Sequence, residues 1–225
     1  MFTGITEETG KITAVTSSGS SMSLSISASF APSLTEGESV AVNGICLTVT
    51  SRTDTDFTAD VTPETFRRTS LKSLGVNSKV NLERAMKADG RFGGHIVSGH
   101  IDGTGTLVSF TEEENAVNAV FRLPESLGYY IIEKGSVCID GISLTVASVA
   151  KEGSSTVFSV AVIPHTWKNT TLSSKQSGDT VNIECDITAK YIAHFLSEGL
   201  PPPADSNSTD DQKLKNFLEN QVSFH

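Results

Sequence analysis

The sequence predicts an all-β chain made of two copies of one small antiparallel β-barrel, followed by a C-terminal helix. The first observation is an internal repeat that spans most of the 225 residues. The second is that each copy contains about six short strand candidates separated by Gly-rich turns, as is typical of small barrels. The third is a change from strand-like patterns to helical spacing after residue 186.

The composition bounds the class of protein. Apolar residues make up 37% of the chain and charged residues 19%, which is typical of a globular protein. The net charge of −9 and the lack of a basic run argue against nucleic-acid binding, which needs clustered Lys and Arg. No apolar stretch approaches the roughly 18 to 20 residues needed to cross a bilayer, so we expect no membrane partner.

Cysteine usage and the N-terminus predict a cytoplasmic location. Cys46, Cys138 and Cys185 form no CxxC pair, so we expect free thiols in a reducing compartment and no metal site. The first repeat begins at Phe2, which leaves no room for a targeting peptide ahead of it.

The repeat is clearest at residues 43–49 (NGICLTV) and 140–146 (DGISLTV), which are identical at five of seven positions. The offset between matched segments grows from 95 to 101 residues along the chain, as loop insertions in a duplicated domain would produce. The other matched pairs are 2–4 with 97–99, 61–66 with 162–167, and 80–83 with 181–184. We therefore expect an N-terminal barrel at 1–94, a second barrel at 95–185, a helix at 186–199 and a polar tail at 200–225.

Each copy is predicted to contain a tight hairpin. In the first copy, Asn43-Gly44 lies between strand candidates 39–42 and 46–50, and this dipeptide favours a two-residue turn. Asp140-Gly141 lies in the same position in the second copy. The other first-copy candidates are 10–15, 22–28, 57–61 and 79–83. Closure into a barrel leaves no unpaired edge, although a pair of β-sandwich domains stays open as an alternative.

Two helical features follow. Thr62 suits the N-cap of a short helical turn that begins at Pro63, and Ile163-Pro164 matches it in the second copy. In the C-terminal helix, apolar residues recur on one side at 187, 191, 192, 195 and 196. Another subunit or the chain's own barrel could cover that side.

Four segments together resemble the riboflavin synthase family: 1–5 (MFTGI), 43–49, 94–101 (GHIVSGHI) and 140–146. The resemblance covers residues 1 to about 195 and implies two six-stranded Greek-key barrels, a homotrimer assembled through the C-terminal helices, and no cofactor. It implies a transferase that completes riboflavin biosynthesis. That enzyme converts two molecules of 6,7-dimethyl-8-ribityllumazine into riboflavin and 5-amino-6-(D-ribitylamino)uracil by four-carbon transfer.

Differences between the copies indicate candidate site residues. Cys46 is matched by Ser143, so folding does not require a thiol there. His100 replaces Ile5, which puts a group suited to proton transfer in one copy alone. We expect His95 to be structural, because its spacing from His100 does not suit a two-histidine metal site.

The resemblance implies roles for these positions. The catalytic set is Cys46 and Ser39, near the acceptor ring, with His100 and Thr145, near the donor ring, where the N-terminal barrel of one subunit faces the C-terminal barrel of a neighbour. The substrate-binding set is Gly4, Ile5, Thr6, Cys46, Leu47, Thr48, Asp60, Val61, Thr62, Pro63, Glu64, Thr65, Gly99, His100, Ile101, Lys134, Ser143, Leu144, Thr145, Ala161, Val162, Ile163, Pro164, His165 and Thr166.

Three other classes of function stay open. A non-catalytic lumazine- or flavin-binding protein could share the fold. A flavin-dependent reductase would need a nicotinamide domain with a Gly-rich strand–turn–helix, and the second half repeats the first instead. A purely structural double barrel leaves the Cys/Ser and Ile/His differences unexplained.

Overall fold

The computed structural model describes residues 1–18 and 21–198, so the predicted polar tail lies outside the described residues. The first copy is a closed barrel with strand order β1-β2-β5-β4-β3-β6, and the second has the same order with its own six strands. The strands are β1 (Glu8–Ser18), β2 (Ser21–Ser27), β3 (Ser39–Val42), β4 (Ile45–Arg52), β5 (Asp56–Val61), β6 (Lys79–Arg84), β7 (Gly103–Glu113), β8 (Ala116–Pro124), β9 (Ser136–Ile139), β10 (Ile142–Glu152), β11 (Ser155–Val162) and β12 (Thr180–Cys185).

All strand pairs are antiparallel, and the connection from β2 to β3 crosses over β5 and β4, which is the Greek-key arrangement. The predicted barrels are therefore confirmed, and the β-sandwich alternative is wrong. No helix among residues 1–18 and 21–198 is long and apolar enough to span a membrane.

The described residues contain four α-helices: α1 (Pro63–Arg68), α2 (Glu125–Gly128), α3 (Pro164–Asn169) and α4 (Ile187–Glu198). The first three connect strands, and α4 follows β12. The Thr62 hydroxyl caps α1 as predicted, because it accepts a hydrogen bond of 3.2 Å from the Thr65 N–H. At the matching place before α3, Ile163 makes no side-chain cap. The barrels belong to one compact unit, Met1–Lys190, and a second unit begins at Tyr191.

Each barrel has its own apolar core. In the first barrel, Phe57 and Ile26 are fully buried among the inward side chains of the six strands. In the second, the rings of Phe121 and Phe158 stack with centroids 5.6 Å apart. Alternate residues point outward, so polar side chains on β4 and β10 are free to form a site on the barrel surfaces.

The two barrels meet at their hairpin turns. Asn43 and Asp140 both have φ of 45°, and the glycines that follow have φ of 77° and 82°, as a two-residue hairpin turn requires. A Cβ on Gly44 would lie 2.8 Å from the Gly141 nitrogen, and a Cβ on Gly141 would lie 2.7 Å from the Gly44 nitrogen. The repeated glycines therefore serve both the turn and the contact between barrels.

Two buried asparagines hold this junction in a pseudo-twofold arrangement. The Asn81 side-chain amide donates to the Asp140 carbonyl, and the Asn182 amide donates to the Asn43 carbonyl, both at 2.9 Å. Each asparagine oxygen also accepts a backbone N–H, from Thr171 or Ser70. Because buried polar groups that are fully paired restrict geometry, the network fixes one barrel against the other.

One feature breaks this symmetry. Asp140 is fully buried, and Lys175, whose side chain is 14% exposed, lies 3.0 Å from its carboxylate. The matching residues of the first copy are Asn43 and Leu74. Burial raises the pKa of Asp140, and the charge of Lys175 opposes that shift. The second copy therefore contains an ion pair where the first has a neutral pair.

We predict that Lys175→Leu lowers the free energy of unfolding by about 3–5 kcal/mol, because it leaves the Asp140 carboxylate buried without its counter-charge. The double variant Asp140→Asn/Lys175→Leu copies the first repeat and should recover most of that loss. Urea unfolding measures both effects. Lys72→Leu, on an exposed lysine, is the control, and an equal loss in Lys72→Leu and Lys175→Leu would contradict the prediction.

Candidate functional site

Two segments that precede the barrels cross between them. We call residues 2–7 the first strap and residues 97–102 the second strap. Gly4 of the first strap accepts a hydrogen bond from the Ser143 N–H of the second barrel at 2.7 Å, and Gly99 of the second strap accepts one from the Cys46 N–H of the first barrel at 2.9 Å. Each strap therefore lies on the hairpin of the other repeat.

The straps approach these hairpins so closely that they need glycine. Gly4 and Gly99 have φ of 76° and 82°, in the left-handed region. A Cβ on Gly4 would lie 2.7 Å from the Ser143 Cβ, and one on Gly99 would lie 2.5 Å from the Cys46 Cβ. Any side chain at either position would displace its strap.

The crossing divides the predicted residues into two groups, which we call the Cys46 pocket and the Ser143 pocket. The Cys46 pocket combines Cys46, Leu47 and Thr48 of β4 with Gly99, His100 and Ile101 of the second strap, and with residues 60–65, which end β5 and begin α1. Strands β4 and β5 are paired. Ser39 is the strand partner of Thr48, so it belongs here too.

The Ser143 pocket is the counterpart in the second barrel. It combines Ser143, Leu144 and Thr145 of β10 with Gly4, Ile5 and Thr6 of the first strap, and with residues 161–166 at the end of β11 and the start of α3. Lys134 donates its N–H to the Val146 carbonyl of β10 at 2.9 Å. Within one chain His100 therefore lies with Cys46, whereas Thr145 lies on the other barrel.

Four of the predicted binding residues are core residues: Leu47, Val61, Leu144 and Val162 are 3%, 3%, 8% and 0% exposed. A ligand on the barrel surface can meet them only through backbone groups. Cys46 and Ser143 are half-buried, and Thr48, Thr145 and His100 are exposed, so these side chains are available to a ligand.

The pockets differ in chemistry. The Cys46 pocket has a thiol, an imidazole and the Asp60 carboxylate, where the Ser143 pocket has a hydroxyl, Ile5 and Ala161. Lys134 has φ of 64° where the first copy has Gly37 with φ of 88°. Such a conformation costs a lysine of order 1–3 kcal/mol, which favours a role for its side chain.

Sequence reasoning missed the carboxylates that hold the straps. Glu83, at the end of the first barrel, accepts hydrogen bonds from Thr3 N, Thr3 Oγ1 and Gly4 N at 2.7, 2.8 and 3.0 Å. Glu184 does the same for Ser98 N, Ser98 Oγ and Gly99 N at 2.7, 2.6 and 2.9 Å. Burial raises the pKa of Glu83, and the hydrogen bonds from Thr3 and Gly4 oppose the shift. The repeated Val-Asn-Leu/Ile-Glu segment was the available signal.

Phe2 is another residue that supports the site and that the sequence did not indicate. It is fully buried with Val97, Ala41 and Cys138, and its backbone bonds to Val97 join the two straps at 2.8 and 3.2 Å. A Cβ on Gly99 would lie 3.0 Å from the Phe2 ring, so this ring packs beneath the second strap.

His95 contacts the Ser143 pocket. Its Nδ1 lies 2.7 Å from the Ser143 hydroxyl oxygen, and its Nε2 is buried without a hydrogen-bond partner among the residues described. Burial lowers the pKa of His95 from the ordinary 6.5, and the carboxylates of Asp186 and Glu184 oppose this shift. His95 thus supports a predicted site residue, which adds to its expected structural role.

A cavity of about 500 Å³ lies beside the first strap, lined in part by Thr3, Glu7, Arg84 and Gly93. Of the predicted site residues, only Ile5 lines it. The cavity is therefore separate from the Cys46 and His100 side chains. In the part of the chain that the structure describes, no three His, Cys, Asp or Glu residues are grouped to hold a metal ion.

The chain is similar to proteins of a known family. The family model for the lumazine binding domain matches twice, at residues 3–85 and 98–186. In overall fold the chain is similar to LumP, crystallised with 6,7-dimethyl-8-(1'-D-ribityl) lumazine, with a TM-score of 0.73 and 24% identity over 82% of this chain and 99% of that one. Two such domains in tandem, with crossing straps, define a double lumazine-binding-domain protein.

Similar curated proteins show to which family of double lumazine-binding-domain proteins the chain belongs. Riboflavin synthase of Actinobacillus pleuropneumoniae is 52% identical over 91% of this chain and 93% of its own length. Riboflavin synthase of Bacillus subtilis is 46% identical over 97% of this chain and 98% of its own. The chain belongs to the riboflavin synthase family.

We predict that His95→Gln flattens the pH dependence of stability below pH 6.5. In the wild type, unfolding exposes an imidazole that binds a proton more readily than the buried one, so stability falls as the pH drops below 6.5. The variant lacks this imidazole, so its stability should fall less as the pH drops. Urea unfolding between pH 8 and pH 5 measures the free energy of unfolding of both proteins. The same dependence on pH in both would contradict a buried His95 with a lowered pKa.

Proposed function

We propose that this protein is a riboflavin synthase, a transferase that converts two molecules of 6,7-dimethyl-8-ribityllumazine into riboflavin and 5-amino-6-(D-ribitylamino)uracil. The main support is identity of 46% and 52% to riboflavin synthases over nearly the whole chain. The geometry agrees, because the duplicated fold offers two equivalent pockets for two copies of one substrate.

The chemistry requires the two rings to be held face to face while a four-carbon unit passes between them. Holding reactants in this way can contribute about 7–11 kcal/mol to lowering the barrier. The 7-methyl group of a lumazine is acidic because the ring delocalises the resulting anion. The protein must therefore supply a proton acceptor and a nucleophile or its positioning, and no cofactor is proposed.

We assign these roles to half-buried and exposed polar groups of the two pockets. Cys46 and Ser39 supply or position the nucleophile at the acceptor ring. His100 and Thr145 assist removal of the methyl proton from the donor ring. His100 lies on the strap that bonds to the Cys46 hairpin, whereas Thr145 lies on the second barrel. If the Cys46 pocket of one subunit faces the Ser143 pocket of a neighbour, His100 lies at the boundary between the rings.

The experiment that tests the function uses the purified protein and 6,7-dimethyl-8-ribityllumazine alone. We expect flavin absorbance to appear, with one riboflavin formed for two lumazines consumed. The competing function is a non-catalytic lumazine-binding protein, and LumP shares the fold. Such a protein would shift the lumazine spectrum and form no flavin.

We predict that His100→Gln lowers the rate of flavin formation by about 10²-fold or more, the usual contribution of one acid or base. Cys46→Ser installs the hydroxyl that the second repeat carries, and we expect a smaller loss. Ser51→Ala, on an exposed position of the same β4 strand, is the control. Wild-type rates in both site variants would remove Cys46 and His100 from the chemistry.

We further propose that the protein is a cytoplasmic homotrimer. The cyclic arrangement lets the first barrel of each subunit face the second barrel of the next, so that every pocket finds a counterpart. Apolar side chains on α4 support assembly through the helices: Tyr191, Ile192 and Leu196 are 59%, 55% and 78% exposed.

We predict that Ile192→Glu/Leu196→Glu dissociates the trimer and abolishes flavin formation while both barrels stay folded. Sedimentation velocity gives the oligomeric state, and circular dichroism reports the barrels. Thr188→Glu, on an exposed polar position of α4, is the control. A wild-type protein that sediments as a monomer and still forms flavin would contradict the assembly.

A further inference from the structure

Glu184 and Glu83 occupy equivalent places and hold equivalent straps. Each is the penultimate residue of the last strand of its barrel, and they are 1% and 6% exposed. Each carboxylate accepts three hydrogen bonds from two successive strap residues. Hydrogen bonds to a carboxylate are stronger than neutral ones, so this clamp restrains the strap tightly.

The second strap is clamped at its far end as well. The Asp102 carboxylate accepts a hydrogen bond of 2.8 Å from the Cys185 N–H, next to Glu184, and it pairs with Lys190 at 2.9 Å. In the first strap, Glu7 accepts a hydrogen bond of 2.7 Å from the Arg84 N–H. His100 thus lies in the middle of a short segment fixed on both sides.

Each glutamate holds the strap that bonds to the opposite barrel. Glu184 belongs to the second barrel, yet the strap it holds bonds to the Cys46 N–H of the first barrel. Glu83 belongs to the first barrel and holds the strap that bonds to the Ser143 N–H of the second. The two clamps differ in what their straps carry, because the residue after Gly99 is His100 and the residue after Gly4 is Ile5.

We propose that Glu184 is a positioning residue that sets the placement of His100 against Cys46 from the opposite barrel. The proposal rests on the proposed function, since it concerns the riboflavin synthase reaction. Glu184 touches no substrate and acts through His100. A displacement of about 1 Å at a reacting group can cost about 10²-fold in rate, so loss of the clamp slows the chemical step.

A merely structural role predicts equal behaviour of Glu184 and Glu83, which makes Glu83 the internal control. The kinetic test measures kcat for flavin formation in Glu184→Gln, Glu83→Gln, His100→Gln and the two double variants with His100→Gln. We expect Glu184→Gln to lower kcat by about 10- to 100-fold. Adding it to His100→Gln should cause little further loss, because the group it positions is already gone.

Glu83→Gln loosens the other strap, so its effect should multiply with that of His100→Gln. If Glu184→Gln also multiplies with His100→Gln, or if His100→Gln alone keeps the wild-type rate, Glu184 does not act through His100 and the proposal is overturned. Ser98→Ala and Thr3→Ala remove one of the three hydrogen bonds on each side. They give the same comparison with less risk to folding.

A second readout needs no catalysis. The Cε1–H signal of the His100 ring, assigned by its loss in His100→Gln, should shift or broaden in Glu184→Gln and Ser98→Ala. It should stay in place in Glu83→Gln and Thr3→Ala. An unmoved signal in both second-strap variants overturns the proposal. If the wild type forms no flavin, the proposed function fails, and this signal still decides whether Glu184 positions His100.

Discussion

The backbone contact between the two hairpin turns is the constraint on which the rest of the structure depends. Gly44 and Gly141 meet without room for a Cβ on either, and Asn81 and Asn182 bond to the turn of the opposite barrel. Because both turns need left-handed backbone, the same two-residue motif closes each hairpin and joins the barrels. The junction places each hairpin within reach of the strap from the other repeat.

The crossing of the straps makes each pocket a joint product of both repeats. Cys46 alone is a half-buried thiol on a barrel surface, and the second strap, which carries His100, bonds to its backbone N–H through Gly99. Ser143 receives the first strap and, in addition, the ring of His95. The pockets are alike in backbone and different in side chains, which suits two identical molecules that must behave differently.

Much of the fold could be predicted because its signals are local or repeated. The Asn43-Gly44 turn, the Thr62 cap and the duplication are each visible within a few residues. The four-residue α2 was not predicted, since one turn shows no periodicity. The ion pair of Asp140 with Lys175 joins residues far apart in sequence, so no local pattern marks it.

The site was predicted residue by residue through family resemblance, but not in its arrangement. Nothing in the segment around Gly99 indicates which hairpin it will cover, because that depends on how two barrels dock. The roles of Glu83 and Glu184 were hidden for the same reason. Their repetition was visible, while their hydrogen-bond partners lie about 80 residues away or more.

The pseudo-twofold junction has a consequence for how such a chain could acquire new chemistry. In an assembly of two identical halves, every substitution appears twice, and a thiol or imidazole gained in one pocket is forced on the other. Joining the halves in one polypeptide removes that coupling. Positions 46 and 143, or 100 and 5, can then change independently while the shared framework of Asn81 and Asn182 stays intact. Covalent linkage thus allows two halves with one shared framework to carry different side chains in their two pockets.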